Sequence, residues 1–176
     1  MSIIDKAIAA VTPQPSAQKR EEATRNARAV SRRGDWLSAV LDHHDEIRDA
    51  FAVGRGAKTA ADRTAAMKAL ALVLNGHALA EELVLYPALG QVGGKAHAAH
   101  ANLEQTTTKA QMAELENIAP SKAAWRDKWE RIEGAVLTHM FEEESSWFLA
   151  LNEKADQPRR LTARYLEEFQ RYTGRA

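Results

Sequence analysis

The chain has 176 residues, enough for one domain with a single substantial core, and its 24 basic and 24 acidic residues cancel. That balance supplies no overall field toward nucleic acid or an anionic membrane surface, and the absence of cysteine removes disulfides, thiolate catalysis, cysteine-held iron–sulfur clusters and covalently attached haem. Residues 1–12 lack a signal-peptide layout and no apolar run approaches the roughly 18 residues of a membrane span, so a soluble cytoplasmic protein is the default expectation.

Ala, Leu, Glu, Lys and Arg dominate and alternating strand patterns are missing, which predicts an all-α protein. Pro13 and Pro15 separate a short N-terminal helix from a mixed-charge segment, roughly 17–32, expected as a solvated or loosely docked helix. Asp35, after Gly34, is the predicted N-cap of the first long helix, which Gly54 and Gly56 close. Thr59-x-x-Asp62 resembles a capping box and opens the second, with Pro87, Gly90, Gly93 and Gly94 as terminators. The third runs from about 95 to 117, and Ser121 is the predicted cap of the fourth, which reaches about residue 151. Pro158 begins a last helix carrying Leu161, Tyr165, Phe169 and Tyr172. Short connections predict an antiparallel up-down four-helix bundle over 35–151, with 1–34 as a helical extension and 152–176 as a C-terminal helix packed on it.

The apolar stripes are interrupted in a consistent way. Leu37, Val40, Leu41, His44, Ile47 and Phe51 form one. Met67, Leu70, Leu74, His77, Glu81 and Val84 form the second, and Trp125, Trp129, Ile132, Val136, His139 and Glu143 the fourth. In each, histidine or a His–Glu pair stands where a hydrophobe belongs. The third helix offers a mixed stripe of His100, Leu103, Glu104, Thr107 and Gln111. The tryptophans Trp36, Trp125, Trp129 and Trp147 read as core filling.

His77-x3-Glu81-Glu82-x3-Tyr86 and His139-x3-Glu143-Glu144-x3-Phe148 share one spacing, and His100 precedes Glu104 by four residues. Four residues turn an α-helix by about 400°, so each His–Glu pair shares a face. With 24 acids in 176 residues, chance puts an acid four places after a given histidine about once in seven, so three hits among six histidines are suggestive, and their placement on apolar stripes carries the reading. A buried unpaired carboxylate costs several kcal/mol, and no Lys or Arg falls on these stripes at the same level. A metal cation answers that need. Nitrogen and oxygen donors without sulfur favour iron or manganese, and about seven candidates exceed what one tetrahedral zinc takes. Glu143 lies about 40° from His139 on an ideal helix and Glu144 about 140°, which favours Glu143 and keeps Glu144 as the alternative. His43 and His97 have no acid four residues on and read as ordinary polar residues.

The segments LDHHDEIRDAF (41–51), HALAEELVLYPAL (77–89), HAAHANLE (97–104) and HMFEEESSWF (139–148) resemble the hemerythrin-like HHE domain family over roughly 35–151. The resemblance implies an antiparallel four-helix bundle holding two irons joined by an oxo or hydroxo bridge, with manganese or zinc less favoured. It implies His44 as the ligand from the first long helix, with His77 and a bridging Glu81 from the second. The fourth would supply His139 and a bridging carboxylate from Glu143 or Glu144. His100 and Glu104 would complete the set from the third, with Glu104 either a ligand or an acceptor orienting His100. The oxygen carriers use His-x3-His in that third helix and His-x4-Asp in the fourth, so this pattern looks like a bacterial subgroup. Carboxylate in place of imidazole favours Fe(III) and counts against reversible oxygen carriage. The subgroup resemblance implies peroxide decomposition, nitric-oxide chemistry or sensing, with O2, H2O2 or NO as the partner and neither nucleic acid nor membrane. Two alternatives stand beside it: a binding module that meets a protein partner through residues 1–33, and a metal-free helical scaffold.

Overall fold

A computed structural model describes residues 14–175; the N-terminal helix expected in residues 1–12 lies outside them. Six helices and no strand make up the described residues: α1 (Ala17–Val30), α2 (Trp36–Gly56), α3 (Ala60–Gln91), α4 (Lys95–Glu116), α5 (123–154) and α6 (Pro158–Thr173). Helices α2 to α5 pack each against the next, and α5 closes back on α2, giving the antiparallel bundle.

Local chemistry sets the helix starts. Asp35 accepts a bond from the Ser38 amide at 2.7 Å. Thr59 and Asp62 form the reciprocal capping box, at 3.1 and 3.2 Å. Each such cap contributes about 1 kcal/mol by satisfying amides that the first turn leaves open. The α5 start differs from expectation: its cap position is Lys122, one residue past Ser121, with no side-chain cap. Pro87 does not end α3 either. It sits at the start of an α-helical segment, directly after an irregular turn, where no intrahelical partner is needed for the missing N–H.

Trp36, Leu37, Leu41, Ile47 and Phe51 of α2 meet Leu70 and Val73 of α3 and Trp129 and Ile132 of α5 in one continuous core. At Gly54 a Cβ would lie 2.1 Å from the Trp129 ring, so α2 and α5 reach their separation only without a side chain there. The thin side is α4, which buries only Ala101, Gln105, Gln111, Met112 and Leu115, in keeping with its mixed stripe. Contrary to the sequence expectation, α3 is long and apolar enough to cross a membrane by length and composition. Yet 61% of that apolar window is buried inside the bundle, as in a core helix.

The outer helices are firmly seated. α1, expected as a loose segment, buries Ala23 and Ala27 and ties Arg28 to Asp42 and Asp45 at 2.6 and 2.8 Å. α6 buries Tyr165 and Phe169 against α2 and α3.

Candidate metal centre

Two π-helical turns mark the centre, Glu81–Leu85 in α3 and Glu143–Trp147 in α5. In each, the amide five residues on bonds back to the glutamate carbonyl: Tyr86 to Glu81 and Phe148 to Glu143. Such turns occur frequently at functional sites, and they rotate the following side chains relative to an α-helix. Here each is backed by an outer helix, α6 against the first and α1 against the second.

One ligand atom each from His44, His77, Glu81 and Glu143, all buried, lie within 4.8 Å of one another. Four inward atoms of this group, His44 Nε2, His77 Nε2, Glu81 Oε1 and Glu143 Oε2, have no hydrogen-bond partner. His44 Nε2 stands 3.3 Å from Glu143 Oε2, and His77 Nε2 3.2 Å from Glu81 Oε1. Each buried polar atom left unpaired costs about 1–3 kcal/mol, so four of them meeting in one dry place fit a shared cation. Two imidazole nitrogens and two carboxylate oxygens form a donor set suited to iron, manganese or zinc.

The far oxygens of the same carboxylates face a second junction. Tyr86 Oη donates within reach of Glu143 Oε1 at 2.9 Å and Glu81 Oε2 at 3.1 Å, and lies 3.1 Å from His139 Nε2. Gln105 Nε2 of α4 donates to Glu81 Oε2 and to Tyr86 Oη, both at 2.6 Å. Beside these residues a cavity of about 20 Å³, room for one water-sized molecule, is lined by Ile47, Leu74, Val136 and Met140 and reaches His77, His139 and Gln105.

Every inward imidazole is steadied through its other nitrogen. His44 Nδ1 meets Glu144 Oε1 at 2.7 Å, His77 Nδ1 meets Tyr165 Oη at 3.0 Å, and His139 Nδ1 meets Glu104 Oε2 at 2.8 Å. Such partners fix ring orientation and raise ligand basicity in metal sites. Glu144 is itself held by Thr24 Oγ1 of α1 and by Arg48 Nη2 at 2.6 Å. That guanidinium reaches in from outside the apolar stripe and balances Glu144, which is turned away from the four-atom cluster.

Five of the residues singled out by spacing therefore come together: His44, His77, Glu81, His139 and Glu143. His100 and Glu104 do not join them. The His100 side chain is 51% exposed, 3.2 Å from Glu104 and 3.7 Å from Glu142, in a separate group at the surface. The reason is the register of α4, which turns Gln105 inward and leaves the His100 face at the edge. Glu104 meets both histidines, His139 Nδ1 through Oε2 at 2.8 Å and His100 Nε2 through Oε1 at 3.2 Å. His43, read as ordinary, is half-buried, stacks on Phe169 with ring centroids 3.6 Å apart and bonds Tyr165 Oη at 2.8 Å. In the sequence Tyr86 stands only as a repeat position and Tyr165 only as a helix-stripe residue, and Gln105, Thr24 and Arg48 carry no signal at all. The π turn places Tyr86, the docking of α1 and α6 places Thr24 and Tyr165, and the packing of α4 and α2 places Gln105 and Arg48.

Without a cation the cluster holds protons instead. Burial alone would lower His44, but the Glu143 and Glu144 carboxylates outweigh it and raise it to about 9. Burial opposes charge on His139 as well, and Glu143 and Glu104 outweigh it. Burial, with the Glu143 charge, pushes the Glu81 carboxyl well up. Burial would raise Glu143 too, yet His139 and His44 pull it far below the usual carboxylate range. His77 is pushed well down by burial and by His44 beside it.

A helical bundle whose core is broken by buried carboxylates and imidazoles belongs to the class of metal-binding helical proteins. Within it the chain belongs to the hemerythrin HHE cation-binding domain family, whose model matches residues 36–151. It is also 32% identical over 78 residues to a protein of Nostoc sp. (strain PCC 7120 / SAG 25.82 / UTEX 2576) described as a DNA nickase; that match covers 44% of this chain and only 22% of the relative. No solved structure matches the chain.

Proposed function

We propose that this is a non-haem di-iron protein that reacts with or senses small oxidants, with peroxide first and O2 or NO next. The observation that carries the reading is the convergence of four orphaned donor atoms from His44, His77, Glu81 and Glu143. His44, His77, Glu81 and Glu143 would hold the first iron, and His139, with the second oxygens of Glu81 and Glu143 near it, would hold the other. Iron held there would supply redox change and Lewis acidity to the oxidant. The chain's own residues fix the imidazoles through Glu144, Tyr165 and Glu104 and keep bulk water out with the apolar walls of the bundle. The cavity beside His77 and His139 is water-sized, far smaller than the pockets that take organic substrates, which favours a small oxidant.

The test is elemental analysis with peroxide decay. Iron-loaded protein should clear peroxide over many turnovers. His77→Ala should lose both iron and activity, whereas His100→Ala should retain both. Loss of iron in His100→Ala with retention in His77→Ala would overturn the assignment.

A sensing role without turnover is the second reading, favoured by one contact: Thr24 of α1 bonds Glu144, which holds His44. Metal loading should then change amide exchange in residues 17–30 more than in α4. Equal protection of α1 with and without metal would remove its motive.

A further inference from the structure

Resting on the metal-binding reading above, we propose that Tyr86 is itself a metal ligand. Its phenolic oxygen would complete a second cation position with His139 Nε2, Glu81 Oε2 and Glu143 Oε1. Tyr86 Oη lies 2.9 Å from Glu143 Oε1, 3.1 Å from Glu81 Oε2 and 3.1 Å from His139 Nε2, three atoms that are metal donors once their protons leave. Gln105 Nε2 fixes the phenolic oxygen and Glu81 Oε2 from the other side, both at 2.6 Å. A cation taking the phenolate and those three atoms would replace the protons that hold this junction together in the metal-free chain.

The position is also the right one. The two carboxylates give Oε1 of Glu81 and Oε2 of Glu143 to the first cluster, and their opposite oxygens to the Tyr86 junction. Each cation position then holds two carboxylate oxygens and at least one imidazole. His100 is at the surface, so α4 supplies no imidazole here, and the phenolic oxygen occupies that quarter.

Packing does not explain the hydroxyl. Phe148 holds the matching place in the second repeat, fully buried and edge-on to Trp36 at 5.5 Å. The π turn takes one more residue than an α turn, which swings Tyr86 onto the face of Glu81; in an α-helix five residues would leave it about 140° away.

The experiment is resonance Raman and visible absorption of the full chain loaded with iron and air-oxidised, grown with and without ring-deuterated tyrosine. A phenolate-to-iron charge-transfer band is expected, with tyrosine ring modes that shift on deuteration. Tyr86→Phe should abolish both and lower iron from about two per chain to about one, whereas Tyr165→Phe should retain the band. Because the wild-type spectrum carries the signature, the test does not depend on the variant folding. Two bound irons without the signature, or with one that survives Tyr86→Phe, overturn the Tyr86 assignment and leave the proposed function standing. A chain that takes up no iron refutes both.

Discussion

Replacing Glu81 by methionine separates what the site costs from what it does. The carboxyl is fully buried and its Oε1 has no partner. Removing one orphaned buried acceptor returns about 1–3 kcal/mol, and a thioether of similar length fills the space. Against this, Gln105 and Tyr86 lose an acceptor, but they keep each other and Glu143. A net stabilisation of the metal-free chain by about 1–2 kcal/mol follows, or roughly 2–8 °C in Tm for a chain of this size. With metal at about 100 times its Kd, the wild type gains about 2.7 kcal/mol and the variant should gain little, so their order reverses. Thermal and urea unfolding followed by far-ultraviolet circular dichroism, in chelator and in saturating metal, reads both signs. A Glu81→Met chain less stable than wild type in chelator, or equally stabilised by metal, would refute the reasoning that these acids are tolerated for the sake of a cation.

Glu144→Gln keeps the shape but removes the charge that holds His44 Nδ1, and should weaken metal binding about 10–100-fold in a competition titration. Tyr165→Phe unpairs His43 and His77 together and should cost about 1–3 kcal/mol in urea unfolding of the metal-free protein. His44 titrates at about 9 in the folded metal-free chain against 6.5 for an ordinary histidine. Its contribution, about 3 kcal/mol at most, is present below 6.5 and lost as pH rises through 9. Metal affinity should move the opposite way, increasing about tenfold per pH unit below 9 for the His44 proton alone and more steeply where His139 or Glu81 also gives one up, which chelator competition at several pH values would show. Gly54→Ala would drive a methyl into Trp129 and should destabilise the chain by about 1–3 kcal/mol, read as a fall in Tm with metal content unchanged.

Among the described residues, helix number, helix order and the Asp35 and Thr59–Asp62 caps follow from the sequence because capping and amphipathic period are local properties, written within a few residues. The same locality made His77–Glu81 and His139–Glu143 legible, since one α-helical turn puts each pair on one face. The third helix was the poorest guide for a physical reason. Its stripe has few large apolar side chains, so the register that buries Gln105 and exposes His100 is set by the packing of its neighbours. The α5 start and the passage of α3 through Pro87 were likewise decided by chain geometry around a turn, beyond the reach of residue preference.

What only the tertiary structure decided is the division of labour around the cluster. Glu144 stands next to Glu143 in sequence, yet it serves His44 from outside because α1 brings Thr24, and α2 brings Arg48, to its far side. Tyr86 reaches the carboxylates through a π turn, and Tyr165 reaches His77 from a helix 88 residues further on. Periodicity assigns a residue to a face of its own helix. Which atom that face meets depends on how the other helices close around it, and that is a property of the folded chain alone.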